Sequence, residues 1–151
     1  MNSMNKLLGS RTKAILALED GTLFEGNSIG IQGVSTGEVI FNTVMTGYQE
    51  VLTDPSYMGQ IITFTYPHIG NTGINNFDNE SNKIHASGVV IQSLSEFPSH
   101  WSSKQTLDEF LIHQKIVGIC GVDTRALTLC LRKKGALRGS ITRSEEHTSE
   151  L

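Results

Sequence analysis

The stretch of residues 37–73 limits how this chain can fold more than any other segment, because turn-forming residues recur in it every few positions. Pro55, Pro67 and Gly70 each mark a turn or the end of an element, and only short apolar runs lie between them. This pattern predicts loops held rigidly on a scaffold of short elements, which is where binding residues tend to lie. The stretch is poor in charge and rich in hydroxyl and amide groups, so it suits an uncharged polar ligand or a protein interface better than a metal or a phosphate.

The order of secondary-structure signals predicts a mixed α/β domain with its strands first. Two apolar runs flank Asp20-Gly21, a dipeptide that strongly favours a β-hairpin. Two helix–strand units come late, the first opened by Thr106 with Glu109 as a capping box and the second by Asp123 as N-cap. We expect strands over residues 13–18, 22–26, 39–43, 60–65, 86–91, 116–120 and 137–141, and helices over residues 48–52, 106–113 and 124–134.

Two other patterns could be taken for phosphate or anion sites. Residues 30–37 hold three glycines, but they lack the G-x-G-x-x-G order and the terminal G-K-[ST] of a phosphate loop, so we interpret them as a plain loop. Arg132, Lys133 and Lys134 fall in the last turn of the second late helix, where cations favour the negative end of the helix dipole. We interpret this basic run as a helix terminus rather than an anion site.

Composition narrows the class of protein further. The 151 residues, 38% hydrophobic and 18% charged, are typical of one globular domain with a real core. A net charge of -3 gives no general reason to expect nucleic acid or a membrane as a partner. Two cysteines make no disulfide framework, which favours a reducing cytoplasm, and we find neither a signal peptide nor a run long enough to span a membrane.

Long, irregular motifs in the central stretch identify a family resemblance. Residues 41–57 read F-N-T-x-M-T-G-Y-Q-E-x-L-T-D-P-S-Y and residues 60–73 read Q-I-x-T-x-T-Y-P-H-I-G-N-x-G. Both closely resemble the N-terminal domain of the small subunit of glutamine-dependent carbamoyl-phosphate synthase, and the match continues through residues 85–88 and 121–128. The resemblance covers nearly everything from Lys13 to Thr142 and implies a swivelling β/β/α-type domain.

The resemblance also implies a function for the intact protein. The family's small subunit hydrolyses glutamine with a thiolate in a second domain, and ammonia passes through a tunnel to the large subunit. The large subunit uses ATP, Mg²⁺ and bicarbonate to make carbamoyl phosphate for arginine and pyrimidine synthesis in the cytoplasm. The domain seen here would dock to the large subunit and help form the glutamine site. It would bind no cofactor or metal, and without the Cys-His-Glu triad it would be inactive alone.

Ser56 is the residue that the resemblance assigns to substrate. In the family, the serine of D-P-S-Y helps bind glutamine at the boundary with the amidotransferase domain, and residues 54–57 match that motif letter for letter. A hydroxyl on a rigid turn can bond an amide or an α-carboxylate. From the residues alone, this interpretation is as well supported as the simpler one, in which Ser56 only closes an Asp-Pro turn.

Cys120 is the alternative catalytic candidate. Gly118-Ile119-Cys120-Gly121 precedes a capped helix and so resembles a nucleophile elbow, in which the helix N-terminus would lower the pKa of the thiol. The continuation V-D-T-R differs from that of such an elbow, so we expect a buried structural thiol, with Cys130 in the core as well. Two rival functions stay open, namely a stand-alone cysteine hydrolase using Cys120 and a non-catalytic assembly module.

The histidines show no spacing suited to a metal, so we expect no zinc site. They are His68, His85, His100, His113 and His147.

Both ends of the chain are expected to lie outside the domain. Residues 1–12 predict a flexible polar tail, in which either Met1 or Met4 could be the start. Residues 143–151, R-S-E-E-H-T-S-E-L, break the resemblance and resemble translated sequencing-adapter sequence, so we expect them to be non-native. The domain itself is then residues 13–142.

Overall fold

The computed structural model describes residues 12–43, 48–65, 83–93 and 107–143. Within these ranges the strands are β1 (Lys13–Leu18), β2 (Leu23–Gly30), β3 (Ser35–Asn42), β4 (Gln60–Phe64), β5 (Gly88–Val90), β6 (Val117–Cys120) and β7 (Leu137–Arg143). The helices are α1 (Tyr48–Leu52), α2 (Leu107–His113) and α3 (Thr124–Lys134), and a 3₁₀ turn covers Pro55–Tyr57. The prediction of a mixed α/β domain, strands first and two helix–strand units late, is confirmed.

The strands close into a barrel in the order β1-β2-β6-β5-β4-β3-β7, and β7 pairs back onto β1. Four neighbouring strands, β3, β4, β5 and β6, run parallel to one another, whereas β2 and β7 run against their neighbours. The carboxyl ends of the four parallel strands therefore meet at one rim of the barrel, and their amino ends meet at the other.

The core divides into two clusters because residues alternate between the two faces of each strand. In β5, Val89 belongs to the cluster that includes residues of α1 and α2, and Val90 belongs to the cluster that includes residues of α3. The expectation that this segment is buried on both faces is confirmed, since Gly88, Val89 and Val90 are all buried. The helices thus pack on a barrel whose interior and exterior are both apolar along the parallel strands.

The first hairpin forms as the sequence predicts. β1 and β2 pair antiparallel, with Ala17 opposite Leu23, and Gly21 takes a φ of +94° in the turn. The carboxylate of Asp20 accepts a hydrogen bond from the N–H of Thr22 at 3.0 Å. Asp20 is therefore the turn residue that the sequence indicates.

The predicted loop over residues 30–37 is wrong at both ends. β2 continues through Gly30, which faces β6 in register with Val117, and β3 begins at Ser35. Gly37 lies inside β3, where a Cβ atom would come within 2.3 Å of the carbonyl oxygen of Gly59. Its lack of a side chain permits a close approach of two backbones, which the sequence pattern does not distinguish from a turn.

The last helix begins and ends where its capping residues predict. Asp123 accepts a hydrogen bond from the N–H of Ala126 at 3.0 Å, and the N–H of Gly135 donates to the carbonyl of Leu131 at 2.8 Å. Leu127 and Leu131 are buried on one face, and Cys130 packs partly buried against the same cluster. The predicted apolar face is confirmed.

Several predictions fall outside the described residues. They concern the capping role of Thr106, the histidines at 68, 100 and 147, the tail before residue 12 and residues 144–151 of the other tail. Arg143, which we assigned to that tail, is described and pairs with Ala14 as the last residue of β7. None of the described helices is both long enough and apolar enough to cross a membrane.

Candidate functional site

Ser56 lies on a short turn that local hydrogen bonds hold in place. Asp54 precedes the 3₁₀ turn, and its carboxylate accepts a hydrogen bond from the N–H of Ser56 at 3.0 Å. The N–H of Met58 donates to the carbonyl of Pro55 at 3.1 Å. Pro55 fixes its own φ near the value that the turn needs. The sequence Asp-Pro-Ser-Tyr therefore makes a pre-formed turn, and Ser56 is exposed on it.

The segment that leads into β5 fastens this turn to the barrel. The N–H of Gly59 donates to the carbonyl of His85 at 3.4 Å, and the N–H of His85 donates to the carbonyl of Leu52 at 3.1 Å. The N–H of Ser87 then donates to the carbonyl of Gln60 at 2.9 Å. Two motifs of the sequence, residues 54–57 and residues 85–88, are thus brought together at the amino ends of β4 and β5.

The electrostatics of the turn favour an ionised Asp54. The N–H of Ser56 donating to the Asp54 carboxylate holds the pKa of that group below its ordinary value. The Ser56 hydroxyl adds a second hydrogen bond, and the nearby His85 adds a smaller attraction. The turn therefore presents a hydroxyl beside a fixed carboxylate, an arrangement that can bind a polar ligand carrying hydrogen-bond donors.

Cys120 lies at the end of β6 and is buried, with 8% of its surface exposed. It belongs to the apolar cluster that contains Ile29, Phe64 and Ile91. The carbonyl oxygen of Cys120 also lies so close to Gly26 that a Cβ there would come within 2.3 Å. The Cys120 side chain is thus part of the buried core at the end of β6.

A metal ion is held by several side chains that lie close together. Among residues 12–43, 48–65, 83–93 and 107–143, no three side chains of the His, Cys, Asp or Glu type come together in a way that could do so.

A cavity of about 460 Å³ opens at the carboxyl rim, and sequence reasoning missed it. Thr43, Thr65 and Gln92 line it from the ends of β3, β4 and β5. The rest of the described lining comes from one face of α3 and includes Thr128 and Arg132. The lining residues lie in four segments far apart in the chain, so no local motif could have predicted the cavity.

The sequence is similar to a family model and to curated proteins that carry the same description. The family model described as "Carbamoyl-phosphate synthase small chain, CPSase domain" matches residues 16–141. The chain is 60% identical over 128 residues to the carbamoyl phosphate synthase small chain of Vibrio parahaemolyticus, a match that covers 85% of this chain and 34% of that protein. It is 56% identical over 142 residues to the carbamoyl phosphate synthase small chain of Acinetobacter baylyi, covering 92% of this chain and 38% of that protein. The chain thus spans about a third of the length of the curated relatives it matches.

The fold is also similar to that of a solved structure at low sequence identity. An aminopeptidase from Aneurinibacillus sp. strain AM-1 matches with a TM-score of 0.50 and 16% identity, over 88% of this chain and 31% of that chain. At this identity the likeness concerns the fold alone.

Proposed function

The chain belongs to the carbamoyl-phosphate synthase small chain family, and on that basis we propose that it is the N-terminal domain of a glutamine-hydrolysing small subunit. In this proposal the domain docks to the large subunit and supplies part of the glutamine site. Glutamine is hydrolysed by a thiolate in a second domain, and the ammonia is used by the large subunit with ATP, Mg²⁺ and bicarbonate. The product, carbamoyl phosphate, serves arginine and pyrimidine synthesis in the cytoplasm.

The observation that carries the proposal is the pre-formed turn at residues 54–57. Ser56 is exposed there, while Asp54 holds its N–H and the segment before β5 holds the end of the turn. A hydroxyl that is already positioned loses little conformational freedom when it bonds an amide or an α-carboxylate. Ser56 is thus a suitable hydrogen-bonding group for glutamine at the edge of a second domain.

The burial of Cys120 supports placing the nucleophile elsewhere. The thiol is buried in the core, whereas a catalytic thiol has to be within reach of its substrate. We therefore propose that this chain alone does not hydrolyse glutamine and that Cys120 acts as a core residue. The stand-alone cysteine hydrolase is not favoured.

The test uses the full-length small subunit assembled with its large subunit. We expect Ser56→Ala to raise the KM for glutamine roughly tenfold, the loss of about one hydrogen bond to a charged or polar partner. Synthesis from added ammonia should keep its normal rate, because that reaction bypasses the glutamine site. Ser140→Ala, on β7, is the matched control and should leave both reactions unchanged.

An unchanged KM for glutamine in Ser56→Ala would remove Ser56 from the site.

The 151-residue chain, assayed alone for ammonia release from glutamine, should show only the background rate, and so should its Cys120→Ala variant. Activity that disappears in Cys120→Ala would overturn the assignment of Cys120 to the core.

A further inference from the structure

The cavity at the carboxyl rim is separate from the turn that carries Ser56. That turn leads into the amino end of β4, and Thr65 follows its carboxyl end, so a five-residue strand of about 16 Å lies between the two places. The cavity also involves α3, which makes no hydrogen bond to the Ser56 turn among those of the described residues. Whatever this cavity binds therefore goes beyond the proposed contact with glutamine.

The cavity lies where the fold collects polar groups. Parallel strands direct their carboxyl ends to a common rim, and ligand sites of α/β proteins are frequent at such rims. Here Thr43, Thr65 and Gln92 line the cavity together with residues of α3. The hydroxyl of Thr124 lies 3.4 Å from Oε1 of Gln92, which ties the helix to the end of β5.

Thr128 supplies a second, independent observation at the cavity. Thr128 lines the cavity and is only 9% exposed. Its hydroxyl has no hydrogen-bond partner among the described residues. A buried hydroxyl without a partner is costly, so it calls for a group that would complete it. Thr124 lies one helical turn before Thr128, so the two residues share one face of α3.

The charged residues of the lining indicate which class of ligand the cavity would suit. Arg125 and Arg132 are exposed at the cavity, and the described lining includes no carboxylate to balance them. The guanidinium of Arg132 stacks 5.4 Å from the ring centroid of Phe41, which orients it at the rim. Arg132 lies in the basic run that we interpreted as a helix terminus, and its position at the cavity gives it a second use.

We propose that this cavity binds a small ligand carrying an oxyanion, either a carboxylate or a phosphate group. The two guanidinium groups would bind the charged oxygens, since planar guanidinium donors match carboxylate and phosphate geometry. The hydroxyl of Thr128 would donate a further hydrogen bond to the ligand. A cavity of about 460 Å³ is large enough for a small organic molecule beyond the anionic group itself.

The test titrates the 151-residue chain with sodium phosphate and, separately, with sodium acetate, each against sodium chloride at equal ionic strength. Backbone amide shifts in ¹H–¹⁵N spectra report binding. We expect saturable shifts that are centred on α3 and the ends of β3, β4 and β5, produced by phosphate, acetate or both but not by chloride. The arm that responds identifies the anionic group.

Three variants and one control decide whether the lining residues are responsible. Arg125→Gln and Arg132→Gln should each raise the Kd roughly tenfold, as expected for a lost charge-assisted hydrogen bond. Thr128→Val keeps the shape of the side chain and should raise the Kd several-fold. Lys133→Gln removes an exposed cation from the same helix but outside the cavity lining, and it should leave the Kd unchanged.

Two results would overturn the proposal. One is the absence of saturable shifts from either oxyanion at concentrations of tens of millimolar. The other is a Lys133→Gln effect equal to those of the arginine variants, which would show general attraction to a basic helix. Ser56→Ala should bind the probe normally, so failure of this proposal is distinguishable from failure of the glutamine assignment.

Discussion

At the scale of single residues, Thr63 tests what an unpaired hydroxyl costs in this core. Thr63 lies in β4 with none of its surface exposed, and its Oγ1 has no hydrogen-bond partner among the described residues. Unlike Thr128, it lies beside no described cavity. We expect Thr63→Val to raise the free energy of unfolding by about 1 kcal/mol, because it replaces an unsatisfied polar group with a methyl of similar size. Urea unfolding measures the change.

The matched control is Thr65→Val, two residues further along. The hydroxyl of Thr65 donates to the carbonyl of Asn42 at 3.3 Å, so its removal should lower the free energy of unfolding by about 1 kcal/mol. A destabilised Thr63→Val would show that its hydroxyl has a partner that the described contacts do not include.

The local geometry of the candidate site was partly predictable from the sequence. The geometry around Ser56 followed from Asp54 and Pro55, since an Asp-Pro pair determines a turn through local bonds alone. The position of Thr128 at the cavity was not predictable, because a threonine inside a helix has the same local pattern whether it lines a cavity or a packed core. Only the arrival of β3, β4 and β5 at the same rim distinguishes the two cases.

At the scale of elements, one ion pair connects the first hairpin to the end of α3. The ammonium of Lys134 lies 2.6 Å from the carboxylate of Asp20. This contact, together with the hydrogen bonds from Thr22, lowers the pKa of Asp20 from 3.8 to about 2. A lowered carboxyl pKa stabilises the fold above the unfolded value, and this contribution is lost as the pH falls through about 2.

We therefore expect Asp20→Asn to lower the urea midpoint at pH 7 but to match the parent near pH 2. Glu25→Gln, an exposed substitution on β2, serves as the control and should give a pH dependence like that of the parent. A difference between Asp20→Asn and the parent that is equal at pH 7 and pH 2 would assign the effect of Asp20 to the turn rather than to the ion pair.

Elements bounded by local signals were predicted well, and the others were not. The N-cap Asp123 and the terminal Gly135 set the limits of α3, because both make their hydrogen bonds within the helix and its ends. The limits of β2 and β3 depend instead on partners far along the chain. Gly30 pairs with β6, and Gly37 approaches the backbone before β4, so neither contact leaves a local trace in the sequence.

At the scale of the whole molecule, β7 closes the barrel by pairing with β1 on one side and β3 on the other. The sequence predicted β7 as a strand but not its neighbours, because closure joins the first and last strands of the chain. Such pairings are specified by how side chains fit across the seam rather than by any local pattern. The packing of β7 against β1 and β3 can be tested at a single glycine of β7.

Gly139 is a tightly packed position of that seam. A Cβ atom at this position would lie 2.8 Å from Cγ2 of Val39 on β3 and 3.1 Å from the carbonyl oxygen of Ala17 on β1. We expect Gly139→Ala to lower the free energy of unfolding by about 1–3 kcal/mol, because β7 must move away from both neighbours to make room. Ser140→Ala, the next residue in the same strand, should change it by less than about 0.5 kcal/mol. Urea unfolding of both variants checks this, and equal midpoints would mean that the seam can widen at no cost.

If closure also holds the two rims in place, Gly139→Ala should weaken the binding of the oxyanion probe at the carboxyl rim, whereas Ser140→Ala should not.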